Sequence, residues 1–465
     1  MLDLSMAERT LRRALRDGGD FAEVFVESRE SYSLRLEEEK VEENSTGRET
    51  GAGVRVAYGE SMAYAYTNDL SEASLLETAA AAAAAVRGGG AAADLRVPSP
   101  STQPAISHEV KMLPEGVSRE EKLSLARRAD RAAREQGPEV VQVIVALGDS
   151  RQRVFIAASD GRCLEDERVR VRLLVQAVAA RGGDIQTGYE APGMLGGYEL
   201  FERYDPAELG AAAARQALIM LDARPAPSGP FPVIIANGTG GVLFHEACGH
   251  GLEADAVFKD ASVFAGRLGE KVASKLVFAY DDPTLPGIWG SYRMDDEGTP
   301  AARTPLIEAG VLRSFINDLK RARRDRTAPT GNGRRQSYRH LPIPRMSNTF
   351  IAPGDLSPEE IIADTPRGIY AKKLGGGEVN PVTGDFIFAV TEGYMVEGGR
   401  IGDPVKGATL IGNGPRVLEG IDAIADDLDF DAGMCGKDGQ SVPVSTGQPT
   451  LRVHELVVGG TAEVG

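Results

Sequence analysis

Apolar and polar positions along the chain switch between a helical and a strand period, and the switches predict its elements. Residues 1–20, MLDLSMAERTLRRALRDGGD, read as an amphipathic helix. Three β-rich stretches follow, FAEVFVESRE, YSLRLEEEKVEE and VRVAYGESMAYAYTN, and then a helix from Ser71 through an alanine run to Val86. A similar order comes again. Residues 118–136 read as a helix, VVQVIVALGDS, RQRVFIAASDG and RVRVRLLVQAVAA as strands, and Asp205 to Ala223 as an amphipathic helix opened by an Asp205-Pro206 cap. The recurrence suggests an internal duplication of an α-β-β-β-α unit.

Two stretches have the composition of breaks. Arg87 to Gln103 fits either a linker or a short docked loop, and Ala223 to Pro232, ARPAPSGPFP, is the clearest interruption in the chain. The second predicts an α+β protein with an N-terminal α/β domain over 1–222 and a β-rich C-terminal domain over 233–465. In the latter, PVIIAN reads as a buried strand leading into a helix. Beyond Asp281, short runs such as VLRSFIND, NTFIA, DFIFAV, GYMVEGGRI and TLRVHELVVGG suggest strands with long connections.

Composition narrows the partners. With 52 Lys and Arg against 68 Asp and Glu, the net charge is −16, which argues against general binding to nucleic acid or anionic membrane. No apolar run has the length of a membrane span, and the first helix lacks the apolar centre of a signal peptide, so a cytoplasmic location is expected. Cys163, Cys248 and Cys435 are widely spaced and suggest no disulfide framework. One local exception to the acidity is Leu319 to Arg345, with nine basic residues and the single acid Asp325. It reads as solvated surface, or as a loop that steers acidic peptides or meets a partner subunit.

Candidate chemistry concentrates in NGTGGVLFHEACGHGLEAD, residues 237–255, in a chain with five histidines. His245, Glu246 and His250 have the parts of a zinc hydrolase site, two imidazoles and a carboxylate able to take a proton from water. The five-residue separation sets the imidazoles roughly 140° apart on a regular helix, where the common spacing of four gives roughly 40°. A one-residue π-bulge at Gly249 would absorb the difference. The plain alternative is a buried helix with two incidental histidines. Gly240 and Gly241 lack the Lys-Ser/Thr ending of a phosphate loop and read as a turn into the helix.

HEACGHGLEAD, together with GNGRRQSYRHLPIPRMSNTFI, GGGEVNPVTGDFIFAVTEGYMVEGG and MCGKDGQSVPVSTGQPTLRV, resembles the TldD/PmbA family of zinc metallopeptidases, and within it the catalytic TldD branch. The resemblance covers most of the chain and is densest after Pro232. It implies a peptidase for unstructured peptides, including leader peptides, working as a homodimer or as a heterodimer with a PmbA-like subunit. It also implies zinc ligands at His245, His250 and Cys435 and a catalytic glutamate at Glu246. Cys435 is then expected in a glycine-flanked loop that folds back onto the helix. Cys248 is expected to pack in the core, and Glu253 and Asp255 to orient a histidine or to supply a fourth ligand. Tyr338, His340 and Arg345 are candidates for holding an oxyanion. The competing readings are a non-catalytic regulatory partner with a structural metal and a zinc amidohydrolase acting on small amides. The intact Glu246 argues against the first, and the C-terminal motifs against the second.

Overall fold

The computed structural model describes residues 2–86, 95–101, 106 and 108–462. The part up to Asp222 falls into two halves, of which the first is α1 (Leu4–Leu15), β1 (Phe21–Glu37), β2 (Lys40–Tyr58), β3 (Ser61–Thr67) and α2 (Glu72–Ala85). Asp3 and Ser71 cap the two helices with their side-chain oxygens. The second is α3 (Arg119–Arg134), β4 (Val140–Ala158), β5 (Cys163–Arg181), β6 (Asp184–Glu190), β7 (Gly193–Leu195), α4 (Leu200–Arg203) and α5 (Pro206–Asp222). Antiparallel pairing of β1 with β4 joins the halves into one sheet of order β3-β2-β1-β4-β5-β6, with β7 on β5.

The strands are longer than the sequence pattern predicts. β1 runs through the first β-rich stretch and into the second as far as Glu37, and β4 through VVQVIVALGDS and most of RQRVFIAASDG. The β1–β2 turn falls instead at Glu38 and Glu39, with φ of 48° and 63°. Glutamate seldom takes this conformation, so no turn signal marks the place. Gly148, inside VVQVIVALGDS, continues the β4 ladder opposite Ser33 and Arg172. Of the expected linker, residues 87–94 and 102–105 lie outside the described residues. Residues 95–101 dock along the β4–β5 turn, with Arg96 and Ser101 donating backbone N–H to Ser159 and Cys163 carbonyls at 3.1 and 2.9 Å.

Period-2 alternation gives this sheet two different faces. Val24, Val54 and Val56 face α1 and α2, while Leu34, Val145 and Leu173 face α3 and α5. The opposite face carries Glu23, Glu27, Arg55, Arg168 and Arg170, all buried. A stretch such as RVRVRL usually marks a strand with one solvated face. Here that face is covered by the C-terminal half. Glu23 lies between Arg55 and Arg335, each at 2.6 Å, and Arg55 also pairs with Glu297. Arg168 holds Asp296 at 2.7 Å, Arg170 holds the Trp289 and Ser291 carbonyls, and Arg172 holds the Ala432 carbonyl at 2.7 Å.

The C-terminal half opens with β8 (Arg224–Pro225) and β9 (Gly229–Ile235), so the Pro-rich interruption is itself partly paired. Then come α6 (Gly241–Ala247), α7 (Ala254–Phe258), β10 (Ala279–Asp281), β11 (Thr304–Glu308), β12 (Val311–Leu312), α8 (Leu319–Asp325), β13 (Gly333–Arg334), β14 (Ile343–Pro344) and β15 (Asn348–Ile351). The last stretch holds α9 (Pro358–Ala363), β16 (Arg367–Val379), β17 (Asp385–Glu397), β18 (Arg400–Lys406), β19 (Thr409–Asn413), α10 (Gly414–Glu419), β20 (Ile421–Ile424), β21 (Asp429–Lys437), β22 (Gln440–Gln448) and β23 (Leu451–Gly459). Six strands form one sheet, β12-β11-β10-β15-β22-β21, with β21 at its edge. In the other sheet, pairing of β16 with both β9 and β17 closes β16-β9-β23-β19-β17 into a ring. The short α6 packs against strands of both sheets, burying Leu243, Phe244 and Ala247 in the largest core. Burial of side chains the size of Leu243 and Phe244 contributes about 1.5–3 kcal/mol each. That is enough to hold seven residues that would not stay helical alone.

The buried ion pairs between the halves make a testable demand. Burial opposes ionisation of Glu23, but Arg55 and Arg335 outweigh it and hold its carboxyl below the usual value. Its contribution is therefore present above about pH 4.5 and lost as the pH falls below that. Glu23→Ala leaves two buried guanidiniums without their shared partner and is expected to cost about 3–5 kcal/mol in chemical denaturation. Arg48→Ala, at an exposed pair of 3.9 Å, is the control and should change stability by under about 0.5 kcal/mol. A Glu23→Ala midpoint equal to that of the unaltered chain would contradict the assignment.

Candidate metal centre

A strand-to-helix turn presents the first donor. β9 ends at Ile235, Gly238 takes a φ of 65°, and α6 begins at Gly241, where a Cβ would lie 2.6 Å from the Gly447 backbone nitrogen. His245 sits in the last turn of α6 and is buried. The helix does not carry a π-bulge. It stops at Ala247, Cys248 leaves helical geometry with φ −130° and ψ −46°, and Gly249–Leu252 forms a 3₁₀ turn. This break brings His250 back toward His245, with ring centroids 5.2 Å apart. Gly249 matters through space: an added Cβ would lie 2.3 Å from Met346 Sδ.

The third donor arrives on a strand. Cys435 lies in β21, opposite Val442 of β22, and not in the glycine-flanked loop expected from sequence. A Cβ on Gly436 would meet open space, so that glycine is not needed for the approach. Cys435 Sγ is 3.3 Å from His245 Nε2 and 3.4 Å from His250 Nε2, and the three ligand atoms lie within 4.8 Å of one another. One thiol proton cannot satisfy both ring nitrogens, whereas a borderline-soft cation suits all three lone pairs. Burial pushes the Cys435 thiol up, but the two histidines reverse this and bring it down to about 5, which favours the thiolate a metal requires. The donor set therefore fits a zinc-type ion.

A second layer fixes these donors. Glu253, fully buried, accepts from His250 Nδ1 at 2.9 Å and from Lys437 Nζ at 2.9 Å. Burial would raise its carboxyl, but Lys437 and His250 bring it to about 2. Asp255 and the Pro344 carbonyl take the other contacts of Lys437, at 2.6 and 3.1 Å. Both carboxylates thus orient and neither is among the converging ligand atoms. Lys437 went unnoticed in the sequence, although it lies two residues from Cys435 and so on the same face of the strand. Glu246 differs from Glu253: its side chain is 34% exposed, with Oε2 3.8 Å from His250 Nε2 and no hydrogen-bond partner among the described residues.

Several expectations change. Arg345 is buried and donates to the Cys435 carbonyl at 2.5 Å and the Gln440 carbonyl at 3.3 Å, so it braces β21 and is not free to hold an oxyanion. Tyr338 packs with Phe25 and Met294 against the N-terminal sheet, and His340 Nδ1 meets Ser337 Oγ at 3.0 Å. Neither joins the three donors. The basic segment is not one surface, since Arg334, Arg335 and Arg345 are buried. Cys248 is buried in the core, as expected, where burial raises its thiol pKa.

Comparison with known proteins agrees over nearly the whole chain. Models of the PmbA/TldA metallopeptidase match in three parts: domain 1 at residues 22–86, the central domain at 113–221 and the C-terminal domain at 228–460. A metalloprotease TldD homolog of Haemophilus influenzae is 38% identical over 453 residues, 95% of this chain and 93% of that protein. A metalloprotease of Methanothermobacter thermautotrophicus is 36% identical over 447 residues, 96% and 97% of the two chains. The crystal structure of a Thermotoga maritima protein, described as a proposed modulator of a DNA gyrase, superposes with a TM-score of 0.82 at 25% identity, covering 98% of this chain and 99% of that one. TldE from Thermococcus kodakarensis shares the fold, with a TM-score of 0.78 at 19% identity over 98% of this chain and 100% of that one. The protein is a metallopeptidase. It belongs to the PmbA/TldD family.

The choice of thiol is open to measurement. Cys435→Ser is expected to lose most bound metal, while Cys163→Ser and Cys248→Ala keep it, and Glu253→Gln should weaken metal affinity about 10–100-fold. Zinc analysis of the purified variants decides the point. Full zinc in Cys435→Ser, or selective loss in Cys248→Ala, means that the wrong sulfur has been assigned.

Proposed function

We propose that the chain hydrolyses unstructured or leader-type peptides, with zinc held by His245, His250 and Cys435 and with Glu246 as general base. The reading rests on one observation, the convergence of two imidazole nitrogens and a sulfur beside a partly exposed carboxylate without a hydrogen-bond partner among the described residues. Three protein donors are the number typical of a catalytic zinc site, in contrast to the four of a structural one. Zinc bound there would supply Lewis acidity toward a carbonyl and toward water. Glu246 takes a proton from the attacking water and returns it to the leaving amine. Glu253 is already saturated by His250 and Lys437, so it holds His250 in place and does not exchange protons with substrate.

The position of Cys435 on an edge strand supports an extended substrate. Along β21 the Ala432, Gly433 and Cys435 carbonyls are taken by Arg172, Trp289 and Arg345, so a peptide would pair through the remaining main-chain groups beside the exposed Met434 and Gly436. A peptide added there gains main-chain hydrogen bonds with little dependence on its sequence. As a TldD-like chain it is expected to act as a dimer, with a second copy or with a PmbA-like subunit. A fully active monomer by native mass would refute that part.

Glu246→Gln is expected to retain zinc and lose at least about 100-fold in peptide hydrolysis, the usual scale for removing a general base. Turnover of an unfolded peptide mixture, measured beside zinc content, tests this. Near-normal rates at full metal occupancy would remove Glu246 from the mechanism.

A further inference from the structure

An open cavity of about 420 Å³, lined by none of the three metal donors, lies where α8 meets the N-terminal sheet. Phe21, Met62 and Phe258 form much of its apolar wall, and its charged lining comes from the basic side chains of α8 and its C-cap, with Arg55, Asp20 and Glu60. Some of this charge is answered. Arg323 pairs with Asp20 at 3.0 Å, Arg324 lies 3.6 Å from Glu60 and 3.9 Å from Asp325, and Arg55 is engaged by Glu23 and Glu297. Lys320, Arg321 and Arg326 form no ion pair among the described residues, although all three line the cavity. Asp318 is close to Arg321, but its carboxylate accepts from the Arg321 backbone N–H at 2.8 Å, as the cap of α8.

Arg321 carries the argument furthest. It is 9% exposed, its Nε has no hydrogen-bond partner among the described residues, and its guanidinium stacks on Phe258 at 4.4 Å from the ring centroid. Only Nε is buried without a partner; the terminal N–H groups reach the open cavity, where they offer a fork of donors to an anion. One carboxylate would answer one of the three unpaired cations. A chain of phosphates answers them together, and guanidinium forks bind phosphate through paired hydrogen bonds. The volume falls within the range of small-molecule sites, about 300–1,000 Å³.

We propose that this cavity binds a small phosphate-bearing polyanion, an oligophosphate or a nucleoside phosphate. Arg321, Lys320 and Arg326 take its oxygens, and Phe21, Met62 and Phe258 bound the space beside them. The site adjoins the metal centre through the backbone. Phe258 ends α7, which starts directly after Glu253, and Ala254 N–H donates to the carbonyl of Ile316, just ahead of α8, at 2.9 Å. The ligand therefore sits against α8 and the end of α7, the helix that starts directly after Glu253.

Equilibrium dialysis of the full chain against tripolyphosphate and against ATP at low salt, with zinc content measured before and after, tests the proposal. Saturable binding is expected, weakened at least about tenfold in Arg321→Met and in Lys320→Ser/Arg326→Ser. The second variant changes less buried side chains and guards against misfolding of the first. Equal affinity for the two probes identifies a phosphate site alone, and tighter ATP binding adds a base on the apolar wall. Absence of saturable binding, binding unchanged in both variants, or tighter binding of hexaglutamate than of tripolyphosphate would overturn it.

Discussion

The buried carboxylate of Glu253 is the contact on which the centre depends. It joins three stretches far apart in sequence: His250 after the helix break, Lys437 on the strand that carries Cys435, and Met346, whose N–H it accepts at 3.3 Å. A buried carboxylate is costly unless its lone pairs are met, and here three donors meet them. The arrangement is therefore stable only when all three stretches are in register. The α6 break is held by contacts made elsewhere, chiefly the packing of Met346 against Gly249 and the core around Phe244.

A second constraint comes from the N-terminal sheet. Its helix-free face is charged, and those charges reach backbone carbonyls of the C-terminal half as well as opposite charges. Arg170 and Arg172 hold Trp289 and Ala432, and Trp289 holds the Gly433 carbonyl at 2.9 Å. The strand bearing Cys435 is thus fixed on one side by the N-terminal sheet and on the other by β22. Substitutions in RVRVRL, remote in sequence from the proposed metal donors, are in a position to shift the sulfur.

Much of the architecture is legible in the chain because it is written locally. Asp3, Ser71 and Asp205 mark helix starts, and the interruption after Ala223 separates two patterns of secondary structure. What escapes is set by partners distant in sequence. The Glu38-Glu39 turn has no glycine to announce it. The helix break after Ala247 follows from tertiary packing, so spacing alone suggested a bulge. Arg334, Arg335 and Arg345 look like surface charge until the carbonyls and carboxylates that bury them are known. His245, Glu246 and His250 were legible as a group, whereas Cys435 rested on resemblance, since nothing local ties a residue in β21 to α6.

The account turns on one proposed coordination set, two imidazoles and one thiolate. X-ray absorption at the zinc edge of the purified protein reads that set directly. The expected spectrum has a single sulfur at about 2.3 Å and two imidazole nitrogens at about 2.0–2.1 Å. A shell of nitrogen and oxygen alone, or one with two sulfurs, would contradict it.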